Sequence, residues 1–255
     1  MLQLGYLFRM KLPRSAFFLP ISRHNWIADD PVLRKELLME STAFIWDLDG
    51  TLLDSYGIIV SSLHQTLSEF GVERDPDEVH REMITYSFGV YLSKLEKEEG
   101  IDVKAVRQRF SEINDSRAMS IEPVEHAAEI LTFIQNKKIP NFVYTHKGIT
   151  TKAVLQNIGL YDYFVEIVSA VEGFPKKPDP AAINYLIQKY GLSRENCFYV
   201  GDRTLDIACA CNAGIKSIFY LPKGSYACPN GKETYIVSDL LEIRNLIHPD
   251  QTNMR

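Results

Sequence analysis

The chain's absences narrow its class before any motif is read. None of its apolar runs approaches the roughly 18 residues that span a bilayer. Its first forty residues also lack the signal-peptide order of charges, one unbroken apolar run and small residues. No block of Lys or Arg occurs, and 28 basic against 33 acidic side chains leave a formal net charge of -5. That gives a nucleic-acid backbone no stripe to follow. Cysteine is scarce: Cys197, Cys209, Cys211 and Cys228 form no C-x-x-C pair. Cys209 and Cys211 fall in a helical pattern, where positions two apart point away from each other. The expectation is buried reduced thiols, neither zinc ligands nor disulfides, in a cytoplasmic protein. Internal repeats and low-complexity segments are missing too.

What is present is an ordinary globular composition, 45% hydrophobic and 24% charged in 255 residues, enough for one large domain or two small ones. Residues 1–40 mix apolar pieces with Arg9, Lys11, Pro13 and Arg14 and read as an extension outside the main fold. A start of translation at Met39 is a second possibility. Then Ala43-Phe44-Ile45-Trp46 runs straight into Asp47, Asp49, Gly50 and Thr51. A buried strand that delivers carboxylates to its end is costly unless something compensates them.

Helical patterns follow with no strand between them. Ser55 to Phe70 stops at Gly71, Asp75-Pro76 supplies an N-cap and first turn, and Phe88 to Glu99 and Asp102 to Arg117 complete an all-helical insert. From Pro123 the pattern alternates: a helix around Val124 to Asn136, a strand Asn141 to Thr145, a helix Thr151 to Ile158, a short strand Glu166 to Ser169. After the helix that Asp179-Pro180 starts come strand Cys197 to Val200, a helix from Leu205 to Gly214, strands Ile215 to Tyr220 and Thr234 to Val237, and a last helix near Leu240 to Ile247. Continuous apolar strands alternating with helices predict an α/β fold with a parallel sheet covered on both faces.

Such sheets bind ligands beyond the carboxyl ends of their strands. Here those ends carry Asp47 and Asp49, then Thr145, then Asp202 with Asp206 four residues on. Between them a Gly/Pro-rich loop presents Lys176 and Lys177. Carboxylates on a sheet edge are oxygen ligands for Mg²⁺, and a lysine with a hydroxyl can hold phosphoryl oxygens. Together they predict a phosphoryl-transfer site with one acid as nucleophile and one as acid/base.

D-L-D-G-T at Asp47 to Thr51, Thr145, Lys177 before Pro178, and G-D-x-x-x-D at Gly201 to Asp206 resemble the four motifs of the haloacid dehalogenase superfamily. The helical insert resembles its C1 cap, as in phosphoglycolate phosphatases. The similarity covers about Thr42 to Leu246. It implies a Rossmann-like parallel core (41–54 and 120–248) with the cap at 55–119. It further implies Asp47 as the nucleophile that forms an aspartyl-phosphate, and Asp49 as acid then base. Mg²⁺ would be held by the Asp47 carboxylate, the Asp49 carbonyl and Asp202, with Asp206 supporting. Thr145 and Lys177 would bind the phosphoryl group. Trp46 stands where the family usually has Phe, and His146 where Asn is common; His146 is a further supporting residue. Tyr56, His64, Tyr86 and Phe88 are candidate cap contacts.

The function so implied is Mg²⁺-dependent hydrolysis of a small phosphorylated metabolite, with no nucleic-acid or membrane partner and the oligomeric state left open. A phosphomutase resembling β-phosphoglucomutase uses the same two aspartates, and Thr51 leans away from it. A dehalogenase would need neither Mg²⁺ nor Asp49. A phosphonate hydrolase would need a cap lysine, for which Lys94 is available, and a non-catalytic phosphate-binding module would not need the complete acidic set.

Overall fold

The computed structural model of the chain describes residues 42–247; the N-terminal extension and the start at Met39 lie outside the described residues. Strand β1 (Ala43–Trp46) is buried along its whole length. The chain turns away from it at Gly50, whose φ of +82° a side chain would strain. It leaves through β2 (Leu53–Asp54).

Helices α1 (Tyr56–Glu69), α2 (Pro76–Thr85), α3 (Phe88–Glu99) and α4 (Val103–Arg117) make up the insert. Their ends are set locally. The Asp75 side chain accepts from the N–H groups of Asp77 and Glu78, and Asp102 does the same for Lys104 and Ala105. Each such cap is worth about 1 kcal/mol. A core of their own, including Leu63, Leu67, Val79, Met83, Leu92, Leu95 and Val106, holds these helices together. The chain returns through β3 (Glu122–Pro123), antiparallel to β2, forming a short ribbon at the root of the insert.

The remainder alternates: α5 (Ala127–Asn136), β4 (Asn141–Tyr144), α6 (Thr151–Asn157), β5 (Glu166–Val168), α7 (Ala181–Tyr190), β6 (Cys197–Gly201), α8 (Thr204–Asn212), β7 (Lys216–Tyr220), β8 (Tyr235–Val237) and α9 (Arg244–Ile247). The six-stranded sheet has the order β5-β4-β1-β6-β7-β8, with every pairing parallel. The expected α/β class is therefore the observed one. Successive residues alternate between two cores, as strand geometry demands. Phe44, Trp46, Val143 and Val200 pack with residues of α5 and α6. Ala43, Ile45, Phe142 and Tyr199 pack with α7 and α8 on the other face. Each fully buried aliphatic or Phe side chain contributes about 1.5–3 kcal/mol. The Trp46 indole is fully buried too, and its N–H donates to Asn141 Oδ1 at 2.8 Å.

Central placement of β1 positions the site. Trp46 is in register with Val143 of β4 and with Val200 of β6. The residues after those three positions therefore converge on one edge of the sheet. From β1 the strand order runs one way to β4 and β5 and the other way to β6, β7 and β8, the crevice where such folds bind ligands.

Some local expectations need correction. Helix α5 begins at Ala127, later than the pattern from Val124 suggested. The Val124 N–H is taken by the Leu52 carbonyl at 3.1 Å, and His126 adopts a left-handed φ of 64° before the helix can start. The last helix opens as a 3₁₀ turn, Leu240–Ile243, before α9. Cys197 and Cys209 are buried as expected, but Cys211 and Cys228 are exposed, and all four are free. Cys211 follows Cys209 by two residues, about 200° around the helix, and so faces outward. Among the described residues no helix is long and apolar enough to cross a membrane.

Candidate active site

Asp47 is the first residue past β1 and is only 6% exposed. Its N–H is fixed by the Val200 carbonyl at 2.9 Å, so the last bond of the sheet aims it. The Lys177 ammonium lies 2.8 Å from Asp47 Oδ1 and 2.8 Å from Asp206 Oδ1. Lys177 is buried against these two acids, while Lys176 is exposed. Asp202 lies just beyond β6, its Oδ1 accepting from the Thr51 hydroxyl at 3.0 Å and its Oδ2 from the Tyr56 hydroxyl at 2.7 Å. Thr145 follows β4 and is buried; its hydroxyl oxygen accepts from the Lys147 N–H at 3.2 Å.

One oxygen each from Asp47, Asp202 and Asp206 lies within 4.8 Å of the others. Of the three buried carboxylates only Asp47 and Asp206 touch the buried Lys177, and the electrostatics show the imbalance. Burial pushes Asp47 up to about 6, with the Lys177 charge pulling it back. Burial pushes Asp202 up to about 7, reinforced by Asp206 and Asp47. Lys177 is held well above its ordinary value: burial opposes the charge, and Asp206 and Asp47 outweigh it. A cluster of hard oxygen donors short of positive charge suits Mg²⁺. Asp206 is the least free of the three. Its Oδ2 accepts the Arg203 N–H at 3.1 Å, and Gly201 must lack a side chain because a Cβ would sit 2.3 Å from the Asp206 Cβ.

Asp49 turns its carboxylate to the other side, 3.1 Å from the Lys147 ammonium, which is itself buried. His146 Nε2 accepts the Lys177 backbone N–H at 2.9 Å, so the ring pins the lysine loop. Burial first, then the Lys177 charge, drives its pKa down to about 3 and keeps it neutral.

Above these groups lies a cleft of ≈ 370 Å³ between sheet edge and insert. Tyr56 and Phe88 line it; His64 and Tyr86, the other two expected contacts, do not. Tyr86 is 44% exposed, and its carbonyl accepts from Arg203. Lys94 also stays away, paired with Glu82 at 3.1 Å. The wall facing the acids is one stripe of α4: Arg107, Phe110, Ser111, Asn114 and Asp115. Those positions recur at helical spacing, and sequence reasoning missed them because a polar helix face is ordinarily solvated. It missed Lys147 as well, although T-H-K at a strand end places a cation two residues past Thr145.

A family model described as haloacid dehalogenase-like hydrolase matches residues 44–220. A phosphoglycolate phosphatase of Agrobacterium fabrum is 31% identical over 186 residues, spanning 68% of this chain and 78% of that protein. One of Neisseria gonorrhoeae is 25% identical over 184 residues, spanning 69% and 78%. Among solved structures, a protein from Haemophilus somnus described as a predicted phosphoglycolate phosphatase superposes with a TM-score of 0.72 at 21% identity, covering 83% of this chain and 100% of its own. A haloacid dehalogenase-like hydrolase from Streptococcus pneumoniae gives 0.70 at 20%, covering 82% and 99%; both show the fold. With all four motifs at one sheet edge and the match running from β1 through β7 with the insert between, the chain belongs to the haloacid dehalogenase-like hydrolases, an enzyme family.

Proposed function

We propose that this enzyme is a Mg²⁺-dependent phosphatase acting on a small phosphomonoester whose alcohol carries a second anionic group. The observation that carries the phosphatase reading is the buried Asp47 with Lys177 at 2.8 Å, at the floor of the cleft. Lys177 keeps the Asp47 carboxylate ionised against the pull of burial. An Asp47 oxygen attacks phosphorus, and the P–O bond to the leaving alcohol breaks as Asp49 gives its proton to the alcohol oxygen. Water then attacks the aspartyl-phosphate while Asp49 takes its proton, releasing phosphate and restoring both acids. Thr145 and Lys177 hold the phosphoryl oxygens, and Lys147 fixes the Asp49 side chain where both proton transfers occur. Mg²⁺ bound by Asp47, the Asp49 carbonyl and Asp202 would neutralise the phosphoryl group.

The second anion is read from the insert. Arg107 lies over the Phe88 ring at 5.0 Å, and among the described residues no ion pair holds its guanidinium. An unpaired cation in the wall opposite the acids favours a leaving group that brings its own negative charge. The relatives named phosphoglycolate phosphatase support a carboxylate there. The test is phosphate release from phosphoglycolate, sugar phosphates and nucleoside monophosphates, with and without Mg²⁺. The expected result is Mg²⁺-dependent release, fastest with the carboxylate ester. Isomerisation of a hexose 1-phosphate without release would make the enzyme a mutase.

A further inference from the structure

Tyr56 belongs to the insert, as the first residue of α1, yet its hydroxyl reaches the core and donates to Asp202 Oδ2 at 2.7 Å. The approach is close enough to dictate sequence elsewhere. A Cβ on Gly50 would fall 2.3 Å from Tyr56 Cε2 and 2.4 Å from Asp202 Oδ2. The Tyr56 ring in turn packs on His80 of α2, centroids 5.0 Å apart. His80 meets the edge of Tyr226 at 5.0 Å and 89°. The Arg81 guanidinium covers the same Tyr226 ring at 5.5 Å. Tyr226 lies on the core, in the loop between β7 and β8. A line of contacts thus leaves the acid cluster through the insert and returns to the core at a second place.

We propose that Tyr56 is a positioning residue for the cation site. Its hydroxyl sets the Asp202 carboxylate, and the ring chain through His80 to Tyr226 makes cation affinity depend on the insert lying against the core. This rests on the reading that Asp202 holds a divalent cation. With Thr51 on Oδ1 and Tyr56 on Oδ2, both oxygens of Asp202 have a hydroxyl donor. Outer partners of this kind orient a ligating carboxylate, and losing one typically lowers metal affinity about 10–100-fold. The donor on Oδ2 is present only when α1 is seated, so the seated insert binds the cation more tightly. By linkage the cation favours the seated insert by the same factor.

Calorimetric titration of Mg²⁺ into the full chain, without substrate, tests this. Tyr56→Phe keeps the ring and removes the hydroxyl; affinity should fall about tenfold or more. Tyr226→Ala touches neither Asp202 nor the cation, and the loss of one aromatic contact should lower affinity about two- to tenfold. Tyr226→Phe should restore the wild-type value. Tyr56→Phe binding Mg²⁺ like wild type overturns the positioning role and leaves the cation reading standing. Wild-type affinity in Tyr226→Ala overturns the linkage. A wild-type chain that takes up no Mg²⁺ overturns the cation reading and the inference with it.

Discussion

The sheet and the insert face each other across the cleft and are built on opposite terms. Asp47 and Asp202 sit directly beyond strand ends, and Asp206 in the first turn of α8, all three with buried, paired side chains. The insert side is a helix face, where Arg107, Ser111 and Asn114 are held only by the packing of α4 on its own small core. A sheet edge fixes atoms to within a hydrogen bond, which chemistry requires. A helix face can be re-lettered without disturbing its buried stripe, which suits recognition. On the proposed function, reaction and recognition fall to different regions, and substitutions on each side should fail differently.

The largest effect is expected from Asp47→Asn. Loss of the nucleophile should lower kcat by at least about 10⁴-fold while thermal melting stays close to wild type, since volume is kept. Substantial residual turnover would place the chemistry elsewhere. Lys177→Met comes next and should strike both activity and stability. Asp47 and Asp206 would lose the ammonium 2.8 Å from each, and leaving buried charge unpaired costs about 3–5 kcal/mol. A denaturant titration showing an unchanged midpoint would contradict that.

On the insert side, Arg107→Gln should leave stability and kcat nearly intact and raise KM about 10–100-fold for a carboxylate-bearing ester. A neutral ester should show no change, and equal effects on both substrates would remove Arg107 from recognition. The smallest effect concerns pH. His146 is neutral in the fold down to about pH 3, against an ordinary value of 6.5, so the unfolded chain binds more protons between those values. Its contribution to stability is complete above pH 6.5 and is lost as pH falls toward 3, at up to about 1.4 kcal/mol per unit. His146→Asn should remove that slope, seen as a smaller drop in melting temperature between pH 7 and 5.

Legibility in the sequence followed the same division. β1 could be read because an apolar run that breaks off at two acids fits little besides a buried strand ending at a site. Helices α2 and α4 could be read because Asp75 and Asp102 cap them visibly. The ribbon of β2 and β3 could not be read: two residues per strand carry no alternation. The start of α5 was obscured by the turn at His126. Within the site, motif residues stood out because strand ends are predictable places. The sequence marks Tyr56 as a cleft contact but not its bond to Asp202, and Arg107 not at all; both depend on which way whole helices face, a property set by tertiary packing. Lys147 was legible in principle and was hidden by the more prominent Lys177.

The lysine between Asp47 and Asp206 has a consequence for how the protein lives with changing metal supply. Lys177 neutralises part of the acid cluster from within, so the positions of Asp47 and Asp206 do not rest on a divalent ion alone. On the proposed function, a bound Mg²⁺ would then serve as an exchangeable reagent of the reaction and not as a structural staple.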